Sequence, residues 1–91
     1  QFDLISALKK KVSVPLVMHG ATGLSDEVMR KTIRCGIRKI NYFSGLVVEA
    51  VESTGRYLET AEKPDYVAMR KTLFDGWKKL ASGQMKIYSL K

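Results

Sequence analysis

The chain has 91 residues, 45% hydrophobic and 27% charged, which fits a single domain with a thin core and excludes a disordered or low-complexity chain. No apolar run approaches the roughly 20 residues that cross a bilayer, so neither a membrane partner nor a non-cytoplasmic location is expected. The net charge of +7 raises nucleic acid as a partner, but the basic residues are spaced among apolar ones, with Lys9 to Lys11 the one run of three, and they read as solvated faces.

Phe2, Leu4, Ile5 and Leu8 recur at helical spacing, with three lysines at the carboxyl-terminal end of the dipole, predicting a first helix over about 2–11. Gln1 is not an initiator methionine and the chain enters directly on this helix, as expected of a piece of a longer polypeptide. Val12 to Met18 is apolar and β-branched, with Pro15 near its start; it predicts a parallel-type strand buried on both faces. Ser25 is placed to cap a second helix, Asp26 and Glu27 suit its positive end, and Val28, Met29 and Ile33 are expected to face inward. Gly36 supplies a left-handed stop. The lone cysteine, Cys35, has no disulfide partner and is expected to pack near this helix end.

Ile37 to Phe43 predicts a second strand. Leu46, Val47, Ala50, Val51 and Leu58 then mark a third helix, and Pro64 breaks the polar stretch that follows it. Pro64 and Asp65 open a last helical segment whose Met69, Leu73, Trp77 and Leu80 form a core or docking stripe. Gly76 and Gly83 each weaken it by about 1 kcal/mol against alanine. The tail from Gln84 to Lys91 is open to either helix or extended chain.

Two candidate strands end in polar clusters. Val14 to Gly23 closes on His19 and on Gly20 and Gly23, which straddle Thr22; Arg38 to Ser44 closes on Asn41 and Ser44. In open sheets and (β/α)8 barrels, ligands gather at the carboxyl ends of parallel strands. Gly20 and Gly23 allow backbone amides to approach an anion, and a helix starting near Ser25 adds its dipole. Neither a Walker loop nor a Gly-x-Gly-x-x-Gly dinucleotide fingerprint is present. A lone histidine such as His19 is more often a hydrogen-bonded structural residue than a metal ligand, and a lone Gly-x-x-Gly is a common turn.

Pro15-Leu-Val-Met-His-Gly-Ala-Thr-Gly-Leu-Ser-Asp-Glu27 resembles the closing segment of the class II, zinc-dependent ketose-bisphosphate aldolases, typically Pro-Leu-Val-Leu-His-Gly-Gly-Ser-Gly-x-x-x-Glu/Asp. Gly36-Ile-Arg-Lys-Ile-Asn-Tyr-Phe-Ser44 resembles the same family's Gly-Val-x-Lys-Ile/Val-Asn-x-x-Thr. The likeness runs from about Leu4 to the C-terminal helices and is specific in these two motifs. It implies an α/β fold: residues 1–91 as a single partial domain, the C-terminal fragment of a (β/α)8 TIM barrel holding its last two strands. It also implies that His19 ligates Zn2+, with a monovalent cation as an optional second ion. Gly20, Ala21, Thr22, Asn41, Tyr42, Phe43 and Ser44 would then bind a sugar phosphate, and the parent enzyme would be a dimer or tetramer. The reaction implied is reversible cleavage of a ketose 1,6-bisphosphate to dihydroxyacetone phosphate and a triose phosphate. No catalytic acid and no second histidine occur here, so the isolated chain is expected to be inactive.

Ala21 stands where the family often has glycine, Tyr42-Phe43 where smaller or acidic residues are usual, and Gly45 where Asp or Glu is frequent. These departures leave room for a paralogue acting on another phosphorylated sugar. A basic interaction module, its motifs mere turns, is the alternative outside enzymology.

Overall fold

The computed structural model describes residues 1–90. Its elements are α1 (Phe2–Lys11), β1 (Leu16–Met18), α2 (Asp26–Cys35), β2 (Ile37–Ile40), α3 (Ser44–Thr60) and α4 (Tyr66–Tyr88). None of the described helices is long and apolar enough to cross a membrane. The chain divides into two compact units: residues 1–42 with those from 86 onward, and Phe43–Met85.

In the first unit, β1 and β2 form a two-stranded parallel sheet, joined through α2 because parallel neighbours need a crossover rather than a tight turn. Leu16 pairs with Ile37, Val17 with Lys39 and Met18 with Ile40, so Arg38 is skipped. Its guanidinium turns back to donate to the Ile33 and Ile37 carbonyls at 3.1 and 3.0 Å, the first of which also accepts from the Gly36 amide that closes α2. Ser25 caps α2, its hydroxyl accepting from the Val28 amide at 3.3 Å. Gly36 ends the helix at φ +133°, a conformation that side chains resist.

The core of this unit is small: Ala21, Met29 and Ile87 are buried, with Met18, Ile33, Ile40, Tyr42 and Tyr88 packed around them. Lys31 lies over the Phe2 ring, 4.3 Å from its centroid, joining α1 to α2 by a cation–π contact.

Four expectations are corrected here. The first strand is Leu16–Met18 rather than Val12–Met18, because Val12 is spent on ending α1, its amide bonded to the Leu8 carbonyl at 3.0 Å. Nor is that strand buried: Val17 is 45% exposed, since a parallel strand is covered on both faces only inside a larger sheet. On α2, Val28 is 37% exposed, and Thr32 is buried instead, bonding the Val28 carbonyl at 2.8 Å. The second strand likewise stops at Ile40, three residues short of Phe43.

The second unit is a hairpin of α3 and most of α4. Asp65 caps α4 by accepting from the Ala68 and Val67 amides at 3.0 and 3.4 Å, and the Tyr57 hydroxyl fixes the turn between Asp65 N and O. The Trp77 indole donates to the Leu46 carbonyl at 2.8 Å, so the aromatic body of the stripe packs while its N–H finds a partner. The apolar stripe assigned to α3 is largely exposed, with Val51 at 69% and Leu58 at 50%. What α3 buries is Gly45 and Ser53 (1% exposed); the Ser53 hydroxyl donates to Glu49 at 2.6 Å, with Arg56 bonded to the same carboxylate oxygen at 3.0 Å. That hydroxyl, reinforced by Arg56 and Lys79, holds Glu49 below the ordinary carboxylate range against a partial loss of hydration.

Despite the cost of its two glycines, α4 runs unbroken for 23 residues. Gly76 is what lets the helices approach: a Cβ there would stand 2.5 Å from Glu49 Oε1 and 2.6 Å from Ser53 Oγ. Gly76→Val is therefore expected to destabilise the protein by about 1–3 kcal/mol through overpacking. Urea unfolding should show it as a lower midpoint at unchanged slope; Gly83→Val, with nothing within 4 Å of its Cβ, should lose well under half as much.

Candidate functional site at the strand ends

The sheet's last rungs bring the two sequence clusters together. After Met18 pairs with Ile40, the Asn41 amide donates to the Met18 carbonyl at 2.9 Å. His19 and Asn41 thus leave the sheet at the same end. The Asn41 side-chain nitrogen lies 3.2 Å from both His19 Nδ1 and His19 Nε2. His19 is exposed and Asn41 half-buried, so the imidazole stands at the rim and faces outward from the core.

The following loop climbs from His19 to α2 through two left-handed glycines, Gly20 at φ +71° and Gly23 at φ +89°. No atom lies within 4 Å of a Cβ built at either, so backbone conformation rather than crowding asks for glycine there. Ala21 does not take a positive φ, Leu90 being the one described non-glycine residue that does. The alanine consequently sits without strain where the family pattern often has glycine. Its side chain is 3% exposed and packs with Met29 and Ile87, anchoring the loop to the core. Thr22, next to it, is exposed.

Tyr42 packs against the same core cluster. Phe43 and Ser44 follow directly in sequence and open the second unit: Phe43, 73% exposed, occupies the N-cap position of α3, and Ser44 is that helix's first residue.

Tyr88 is a group near this core that sequence reasoning missed, because the tail carried no periodicity strong enough to choose helix. Its hydroxyl oxygen is buried and bonds to nothing among the described residues. Burial, and then the neighbouring Tyr42, push its pKa above the ordinary 10.0. A raised folded-state pKa means that the stability present below pH 10.0 falls as the pH rises through the raised value. Tyr88→Phe removes both the unbonded hydroxyl and that titration. It is expected to stabilise the protein by about 1 kcal/mol at neutral pH and to flatten the loss of Tm above pH 10; a destabilised variant with the wild-type alkaline limb would contradict this.

No group of three His, Cys, Asp or Glu able to hold a metal ion occurs among the described residues. A catalytic zinc takes three protein ligands and an open position. His19 has the chemistry and exposure of one such donor, and the chain by itself does not complete a site.

A family model described as class-II fructose-bisphosphate aldolase matches residues 1–90. The chain is 42% identical over 50 residues to YdjI of Escherichia coli strain K12, a protein described as uncharacterized; this spans 55% of the chain and 18% of YdjI. It is 45% identical over 40 residues to a fructose-bisphosphate aldolase of Ureaplasma parvum serovar 3, spanning 44% and 14% of the two chains. The crystal structure of the YdjI aldolase from Escherichia coli K12 superposes with a TM-score of 0.87 at 28% identity, over 97% of this chain and 33% of that one. The chain therefore spans a third or less of the relatives it matches.

Proposed function

Because this chain belongs to the class-II fructose-bisphosphate aldolase family, we propose that it supplies the carboxyl-end rim of two strands of a (β/α)8 barrel to a metal-dependent aldolase. The reaction is reversible cleavage of a ketose 1,6-bisphosphate, of fructose or tagatose type, into dihydroxyacetone phosphate and a triose phosphate. The observation that carries this reading is the convergence of His19 and Asn41 at one strand end, 3.2 Å apart, beside a loop opened by two left-handed glycines.

In this reading His19 gives one imidazole to the metal. When bound, the metal polarises the substrate carbonyl and stabilises the negative charge that develops as the carbon–carbon bond breaks. Asn41, on the rim beside it, hydrogen-bonds the ketose oxygens with its carboxamide. The backbone amides of Gly20 to Thr22 and the Thr22 hydroxyl receive the phosphate. Positive φ at Gly20 and Gly23 lets that backbone take a course in which successive amides turn toward one anion. Asp26 and Glu27 occupy the first turn of α2 and repel a phosphate there, which favours the glycine loop over the helix terminus as its seat. The chain has one histidine, so the 91 residues alone are expected to be inactive.

The test is turnover by the full-length polypeptide with fructose and tagatose 1,6-bisphosphates, before and after chelation. Metal-dependent cleavage of either supports the reading. Inactivity on both, with turnover of another phosphorylated ketose, would favour the paralogue. Activity that survives complete removal of the metal would overturn it.

A further inference from the structure

We propose that Asn41 is a positioning residue for His19: its carboxamide lies across the face of the imidazole and fixes the plane of the ring while leaving both ring nitrogens open at its edge. The inference rests on the reading of His19 as a metal donor and extends it to the residue that sets the donor's direction.

The geometry follows from two equal distances. Asn41 Nδ2 is 3.2 Å from Nδ1 and 3.2 Å from Nε2. A donor aimed along one nitrogen's lone pair lies in the ring plane, close to that nitrogen and farther from the other. A donor in the plane and equidistant from both would overlap Cε1, which stands between them. The amide nitrogen is therefore above the ring, in an N–H to π-face contact, which is individually weak. Its effect is on orientation: it opposes rotation of the ring without occupying either lone pair.

The backbone keeps the amide in place. Asn41 N–H donates to the Met18 carbonyl at 2.9 Å, and Met18 is the residue immediately before His19. Both partners thus hang from the same final rung of the sheet. Asn41 is half-buried and His19 exposed, so the better-held side chain restrains the freer one. A histidine ligand whose ring is already oriented loses less conformational freedom when it binds a metal, and removal of an outer partner of a ligand typically lowers metal affinity about 10–100-fold.

The experiment measures the Zn2+ affinity of the full-length protein by competition with a chromophoric chelator, and the visible spectrum of its Co2+ form, for wild type, Asn41→Ala and His19→Ala. Asn41→Ala is expected to weaken Zn2+ binding about tenfold or more and to alter the Co2+ bands; Asn41→Ser, which also keeps the backbone bond to Met18, should do the same if the alanine variant fails to fold. Wild-type Zn2+ affinity and Co2+ spectrum in the folded Asn41 variant, whatever its turnover, would overturn the positioning role and leave Asn41 a substrate contact alone. Wild-type metal binding in His19→Ala would instead overturn the underlying assignment of His19.

Discussion

His19→Ala in the full-length polypeptide is expected to lower metal-dependent aldol cleavage by about a thousandfold or more. A metal polarising a carbonyl supplies several kcal/mol of transition-state stabilisation, at about 1.4 kcal/mol per factor of ten. His19 lies outside the buried cluster of Ala21, Met29 and Ile87 and is exposed, so its truncation opens no cavity. The fold should survive with a near-normal Tm in the metal-free state. Activity, bound metal measured by elemental analysis, and metal-free Tm are then expected to separate: the first two fall and the third holds. A large loss of metal-free stability would make His19 a structural residue, and turnover with unchanged metal content would remove it from the ligand set.

The largest effect on stability is expected at Gly36. Two independent costs meet there. Its φ of +133° lies in a region costing a non-glycine residue about 1–3 kcal/mol. A Cβ would also stand 2.9 Å from both Cβ and Cγ of Lys9. Lys9 Cβ is fixed to the backbone of α1 and cannot swing away, so the helix itself must shift. Gly36→Ala is expected to cost about 3 kcal/mol in total, a fall of roughly 5 °C in Tm for a chain of the relatives' size. Gly20→Ala is the internal comparison: it shares the left-handed backbone but has no atom within 4 Å, and about 1 kcal/mol is expected. Equal losses at the two positions would show that backbone strain alone operates at Gly36 and that α1 yields freely.

The strand ends were legible in the sequence because their signals are local. An apolar run that stops at His19, and a second strand candidate that carries Asn41 near its end, place two polar groups at neighbouring mouths once the strands are parallel. Ser25 and Gly36 marked the limits of α2 by capping chemistry that involves only adjacent residues. What escaped depends on partners distant in sequence. Val12 read as strand by its β-branching, yet its amide is used to close α1. Val28 was expected inward, but Thr32 is buried on α2 instead, hiding its hydroxyl by bonding back to the preceding turn, which composition does not reveal. Gly76 read only as a weakening of α4, and it is where α3 comes close enough to leave no room for a Cβ. Ala21 read as a loop residue near phosphate, while its side chain fastens the loop to Met29 and Ile87. The contact of Asn41 with the ring face needed a register set by the skipped Arg38, which no periodicity announces.

The most direct measurement is a crystal structure of the full-length polypeptide with its metal and a phosphorylated enediolate mimic bound. It should show a ring nitrogen of His19 on the metal, the Asn41 carboxamide at the mimic's oxygens, and the phosphate against the amides of Gly20 to Thr22. A phosphate seated elsewhere, with His19 turned from the metal, would contradict the assignment of this rim as the place where the sugar phosphate is held.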